Sequence, residues 1–299
     1  MGYNRGCIIM KKITLLLMMS MLLVTFSSCK KEGVYNPKEK ISKIYEDYGY
    51  SKMLSEIWEW DKKQLKRIDH CYDGLVEWTE DFSYNEKGQI ARVDCYEDEE
   101  YAIYQYDGKK LSKVSYYYEG ELESEYIIKH NGKKISEIEM KLFYIDWKGR
   151  SNSRLMSEGY NPIKMLLSEN AYASVRKISN DYAEISRWQD PTPLSFTIKL
   201  EWEKDNVSKI ETAVSGLRVS IEYAYDNKSN PFANFFSIYF EDVLDYNSLS
   251  KNNVTEIRYT EIEDGYTDVE VERYSYSYDG KFPVEKRDDY SNIYYYEYE

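Results

Sequence analysis

The chain has 299 residues, with 53 acidic side chains against 40 basic ones, a net charge of −13, and 33 tyrosines beside 6 tryptophans. That balance excludes a nucleic-acid binder, which needs basic patches to displace counterions. Its two histidines and four cysteines show no zinc spacing, and neither a phosphate-cradling Gly-rich stretch nor a Gly-x-Ser-x-Gly elbow occurs, so no cofactor, metal or enzymatic activity is expected.

In chain order, residues 1–28 read as a signal peptide. Lys11-Lys12 give a positive start, and Ile13 to Phe26 form an apolar run too short for a confident membrane span. Met10 is the better initiator. Phe26-Ser-Ser-Cys29 resembles the lipobox of bacterial lipoproteins, which implies a lipid on Cys29 and attachment to a membrane. Removing residues 1–28 takes away Arg5, Lys11 and Lys12 and no acid, so the charge would fall from −13 to −16. Lys30-Lys31-Glu32 is similar to the surface-export tract of Bacteroides-type lipoproteins, implying an outer-membrane lipoprotein that faces outward rather than into the periplasm. Residues 29–38 read as a tether, with Gly33 and Pro37 opposing regular structure.

Hairpins then repeat. In Tyr104 to Tyr118, Asp107-Gly108 suits a two-residue turn and the flanking tyrosines alternate with polar residues, as in strands with one buried face. The return arm Lys109-Lys-Leu-Ser-Lys-Val114 has near-copies beginning at Glu39, Lys63, Gly88, Lys133, Asp205 and Asn252. An aromatic residue or His closes the preceding arm: Trp60, Tyr84, Tyr106, His130 and Trp202. The first four are 24, 22 and 24 residues apart, the period of a supersecondary unit too small to bury its face alone.

The pattern stops over about 146–194. Asn161-Pro162, followed by Ile163, Leu166, Leu167 and Ala171, predicts a helix over roughly 162–177. Its apolar stripe must be buried, so this insertion is expected to plug or cover a barrel, the alternative being that it simply fills the core and leaves no pocket. Strands resume at Phe196 and end with Tyr294, Tyr296 and Tyr298. The expected fold is all-β: one domain over 39–299 of antiparallel hairpin repeats closing into a large β-barrel, with an open stacked array as the alternative. One parity of each strand is charged, unlike the apolar outward band of a membrane-spanning barrel. Cys71 and Cys95 fall on alternate strands with different parities, so two thiols rather than a disulfide are expected.

The Trp58-Glu-Trp-Asp61 opening, the Tyr-Asp-Gly-Lys-Lys-Leu hairpin, Tyr225 to Phe232 and Leu249 to Val254 together resemble a family of Bacteroides-type lipoproteins of unknown function with a porin-like barrel. The hairpins singly are also similar to the tyrosine-aspartate repeats of large bacterial toxins. The family implies a fold and an envelope location, and supplies no catalytic residue.

His70 and His130 stand at ordinary strand positions, where packing is the simpler role. Asp94 and Glu97 to Glu100 read as a solvated hairpin tip, with acid–base chemistry on a sugar or weak calcium binding as the functional readings. Trp147, Tyr172 and Trp188 lie near the break, outside the repeat, and are the candidate ligand contacts. The function expected is a non-catalytic envelope lipoprotein that binds a glycan or an apolar small ligand. The alternative is a structural or protein-interaction module without a small ligand.

Overall fold

Each copy of Lys-Lys-Leu-Ser-Lys-Val puts two apolar residues three apart, which a regular strand would point to opposite faces. The computed structural model resolves this. It describes residues 32–95, 100–143, 194–214, 217–236, 248–263 and 265–299. Sixteen strands run in order: β1 Ile41–Asp47, β2 Met53–Asp61, β3 Gln64–Tyr72, β4 Leu75–Tyr84, β5 Ile90–Cys95, β6 Glu100–Asp107, β7 Lys110–Tyr118 and β8 Glu121–Asn131. They continue as β9 Lys134–Leu142, β10 Leu194–Glu203, β11 Asn206–Val214, β12 Leu217–Ser229, β13 Asn252–Glu263, β14 Tyr266–Asp279, β15 Phe282–Asp288 and β16 Ile293–Tyr298. Each pairs antiparallel with the next, and β16 pairs with β1 from Tyr298 opposite Ile41 to Ile293 opposite Asp47, closing a barrel without edges.

Every odd-numbered strand carries a one-residue bulge, in β1 to β13 between its two apolar positions and in β15 between Pro283 and Lys286. In β3, Leu65 faces Trp60 and Arg67 faces Glu59, so Lys66 is the extra residue. Ser42, Ala91, Ser112, Ser136, Ser208, Thr255 and Val284 occupy the same place in the other odd strands. The bulge turns Leu65 and Ile68, like Leu111 and Val114, to the interior, where all four are fully buried. It also bends and twists the strand, which a closing sheet requires.

The aromatic residue that ends each even strand belongs to the same device. Trp60 Nε1 donates to the Ile41 carbonyl at 2.7 Å, Tyr84 to Leu65 at 2.6 Å, Tyr106 to Ile90 at 2.7 Å and Trp202 to Ile135 at 2.6 Å. Tyr225 and Tyr298 do likewise for Val207 and Pro283, and in β14 it is Tyr276, two residues before the last tyrosine, that donates to Val254. Each acceptor is the residue just before a bulge, so a phenol or indole supplies a donor where the ladder is interrupted. In the His130 copy the partner is Glu32: Nε2 lies 3.1 Å from both of its carboxylate oxygens, and the Leu111 amide donates to Oε2 at 2.6 Å.

Glu32 to Tyr35, inside the stretch read from the sequence as a tether, are therefore part of the barrel. The Glu32 amide donates to the Lys109 carbonyl and the Ile90 amide to that of Gly33. Gly33 has φ +71°, and a Cβ there would come within 1.9 Å of the Tyr106 hydroxyl. Gly33→Ala is expected to cost about 2–3 kcal/mol, from a left-handed backbone and a displaced Tyr106. A chemical-denaturation midpoint within error of the unsubstituted protein would refute that.

Because the strands form a meander, the segment before β1, the C-terminus and the β2–β3, β4–β5, β6–β7, β8–β9, β10–β11, β12–β13 and β14–β15 connections share one end of the barrel, called here the N-terminal end. The β1–β2, β3–β4, β7–β8, β13–β14 and β15–β16 turns lie at the far end. Outward-facing residues are charged and pair along the wall, Arg67 with Asp81 through two 2.8 Å bonds and Lys129 with Glu137 at 2.5 Å. A lipid-facing wall would be apolar there.

The interior is filled from the N-terminal end by two segments. Tyr35, 2 % exposed, donates to the Pro231 carbonyl at 2.9 Å. From the β12–β13 connection, Phe235 packs 4.9 Å from Tyr35, 5.0 Å from Trp58 and 5.8 Å from Phe82, while Phe236 stacks on Tyr104. The described residues contain no helix; the helix expected over 162–177 lies outside them, as does the plug expected over about 146–194 except for Leu194, which opens β10. Cys71 and Cys95 are thiols, as expected.

Candidate functional site

The strands β13 to β16 and β1 to β2 wall one side of the interior, with strict alternation on β14 and β16. Tyr274 and Tyr276 on β14 and Tyr294 and Tyr296 on β16 take the inward parity, with Lys286 between them on β15 opposite both Tyr276 and Tyr294. Ile44, Glu46, Glu56, Val254 and Ile257 continue the wall, and Pro231 and Phe232 of the plug form the floor. Together they enclose a cavity of about 310 Å³, within the range that small ligands occupy.

Two of the four phenol hydroxyls donate within the protein. Tyr276 donates to the Val254 carbonyl at 2.7 Å and Tyr274 to Glu272 at 2.5 Å. Burial pushes both phenols, and those of Tyr294 and Tyr296, above their ordinary range, so they stay neutral. The rings thus offer faces and edges. The Lys286 ammonium sits 4.3 Å from the Tyr274 ring centre and 5.1 Å from that of Tyr294, a cation held by two aromatic faces.

Glu56 is the unusual acid. It is 4 % exposed, and burial drives its carboxyl up to about 8 even though Trp58 Nε1 donates to it at 2.6 Å; nearby Glu46 and Glu80 add to the rise. At neutral pH it is mostly protonated and can donate a hydrogen bond into the cavity. Glu80 is also buried, at the equivalent inward place on β4, and Glu100 is buried one inward position earlier on β6, before Ala102. Glu100 therefore departs from the solvated hairpin tip expected for it, and Asp94 beside it binds Arg92 at 2.7 Å; residues 96–99 lie outside the described residues. Parity could have found these acids, since each stands two residues before an inward Trp58, Phe82 or Ala102.

His70 is buried and stacks on Trp78 at 3.6 Å, with Nε2 3.7 Å from Glu80. Burial holds its pKa well below the usual imidazole range, so it is neutral. Among the described residues no group of three or more His, Cys, Asp or Glu is placed to hold a metal ion.

At the far end, large exposed apolar side chains gather on four neighbouring hairpin tips: Tyr48 and Tyr50, Tyr72 and Leu75, Tyr266, and Tyr290. These tips crown β13 to β16 and β1 to β4, which include every strand that walls the cavity. Glu46 and Tyr294, paired across β1 and β16, are the last inward residues beneath them. Cys29, Trp147, Tyr172 and Trp188 lie outside the described residues.

The fold matches that of a porin-like protein from Bacteroides vulgatus, with a TM-score of 0.50 and 12 % identity over 88 % of this chain and 99 % of that one. A porin-like protein from Bacteroides uniformis aligns with a TM-score of 0.47 and 11 % identity, over 87 % of this chain and 98 % of that one. No protein-family model and no curated protein matches the sequence.

Proposed function

We propose that this chain is a non-catalytic lipoprotein of the cell envelope, anchored to the outer membrane through Cys29, whose barrel takes a small ligand into the tyrosine-lined cavity. The cavity carries the reading. Its four tyrosines present ring surface, with the Tyr274 and Tyr276 hydroxyls already engaged, while Lys286, Glu46 and Glu56 supply a few polar groups for orientation. Such a lining suits a glycan ring stacked on a tyrosine face, or an apolar molecule. Trp147, Tyr172 and Trp188 are proposed as further contacts. The structural alternative draws on Tyr35, Phe232, Phe235 and Phe236, which already occupy much of the interior.

Native mass spectrometry of the mature protein, as purified and after exposure to glycan and lipid pools, tests the ligand reading. A bound species is expected, and Tyr294→Ala should weaken it about tenfold through lost ring contact. Trp147→Ala with Trp188→Ala should weaken it further. If nothing binds, the structural alternative stands; if binding survives Tyr294→Ala unchanged, the ligand sits elsewhere.

A further inference from the structure

The two ends of the barrel differ in charge, and the difference is systematic. The exposed lysines Lys62, Lys63, Lys109, Lys133, Lys204 and Lys281 all stand at hairpin turns of the N-terminal end. The repeat contributes to this, because its arm opens with lysine at a turn of that end in the Lys63, Lys109 and Lys133 copies. Acids occur there too: Asp61, Asp107 and Asp279 each precede lysines in the same turns, Asp205 follows Lys204, and Glu86 precedes Lys87. At the far end the described turns are acidic, with Asp73, Glu119, Glu121, Glu263, Asp268 and Asp289, against Lys52 in the β1–β2 turn.

The chain also enters at the lysine-bearing end, and it enters pinned. The Glu32 amide binds the Lys109 carbonyl, the Glu32 carbonyl accepts from Gln89 Nε2 at 3.0 Å, and its carboxylate holds His130 and the Leu111 amide. Cys29 is three residues from this clamp, a reach of roughly 10 Å even when fully extended. That is about one Debye length at physiological salt.

We infer that the lysine rim is a docking surface for an anionic lipid bilayer, so that the barrel stands on the membrane by its N-terminal end and presents its acidic, tyrosine-bearing end away from it. Charge complementarity selects this end: an anionic surface attracts lysines within a Debye length and repels the opposite rim. The clamp at Glu32 makes the choice geometric as well, since a lipid on Cys29 leaves no slack for the barrel to turn over. The inference rests on the anchor at Cys29 for its geometry and on the lysines for its charge, and the two are separable.

The test is lysine acylation mapped by mass spectrometry, on the full mature protein in vesicles of phosphatidylcholine with and without phosphatidylglycerol. Lys62, Lys63, Lys109 and Lys133 are expected to react severalfold more slowly on the anionic vesicles, with Lys52 unchanged, and 1 M salt should abolish the difference. Equal rates on both vesicles, or protection of Lys52 alone, would overturn the docking surface. The intact mass reports separately whether Cys29 carries lipid. If it does not, co-sedimentation with the anionic vesicles still decides the matter: changing those four lysines to Gln should weaken binding at least tenfold, at roughly fivefold for each lysine within reach. Unchanged co-sedimentation of that variant would refute the docking surface.

Discussion

Replacing Phe235 with Ala is expected to destabilise the barrel by about 3–5 kcal/mol, the range for deleting a buried aromatic ring. The ring lies between Tyr35 from the N-terminal segment and Trp58 and Phe82 from the wall, with its exposure at 2 %. These neighbours belong to different elements, each fixed by its own hydrogen bonds: Tyr35 to Pro231, Trp58 to Glu56. They cannot collapse together into the space vacated, so the cavity term adds to the lost burial. The melting temperature should fall by roughly 5–15 °C, while the far-ultraviolet spectrum at 20 °C stays β-rich because the bulged ladder does not depend on this ring. Phe235→Leu should recover more than half the loss. A drop below about 1 kcal/mol for the alanine variant would mean that the plug does not pack as described.

The same ring marks how far the sequence could be read. Turn dipeptides and period-two alternation exposed the hairpins, and the 22–24-residue period joined them into one domain, because both signals are local. The apolar residues three apart in each Lys-Lys-Leu-Ser-Lys-Val copy contradicted a regular strand, and the bulge that reconciles them was not anticipated. It becomes visible only when Leu65 is seen opposite Trp60 while Arg67 is opposite Glu59. The donors Trp60, Tyr84, Tyr106 and Trp202 were recognised as recurring. Their role was not, since their acceptors sit on the preceding hairpin, 16 to 67 residues away.

The interior was least legible. Its described filling comes from Tyr35, in a stretch whose Gly and Pro suggest a tether, and from Phe232 to Phe236, where no periodicity points to burial. Gly33 serves close approach to Tyr106 rather than flexibility. Composition does not single out Glu56, because acids in this sequence are abundant and mostly solvated; only its parity, shared with Trp58 and Trp60, signals an inward carboxyl.

That carboxyl gives the barrel a pH dependence of defined sign. Glu56 is raised by burial from 4.5 to about 8 in the folded chain, whereas the unfolded chain releases its proton near the ordinary value. Between those limits the folded state binds the extra proton, so stability is fullest below about pH 4.5 and declines as pH rises toward 8, where the loss is complete. The slope is about 1 kcal/mol per pH unit, and the total is on the order of 3–5 kcal/mol before relaxation of the site. Glu56→Gln keeps the size and the acceptor for Trp58 Nε1 but removes the titration. E56Q should therefore match the unsubstituted protein near pH 5 and exceed its melting temperature by several degrees at pH 9. Other acids titrate in both proteins and cancel in the comparison. If the cavity ligand accepts a hydrogen bond from protonated Glu56, its affinity in the unsubstituted protein should fall over the same window, while E56Q, whose amide donates at every pH, binds without that dependence. Parallel melting curves for the two proteins from pH 5 to pH 9 would show that Glu56 is ionised in the folded barrel, and the protonated carboxyl would be lost from the site.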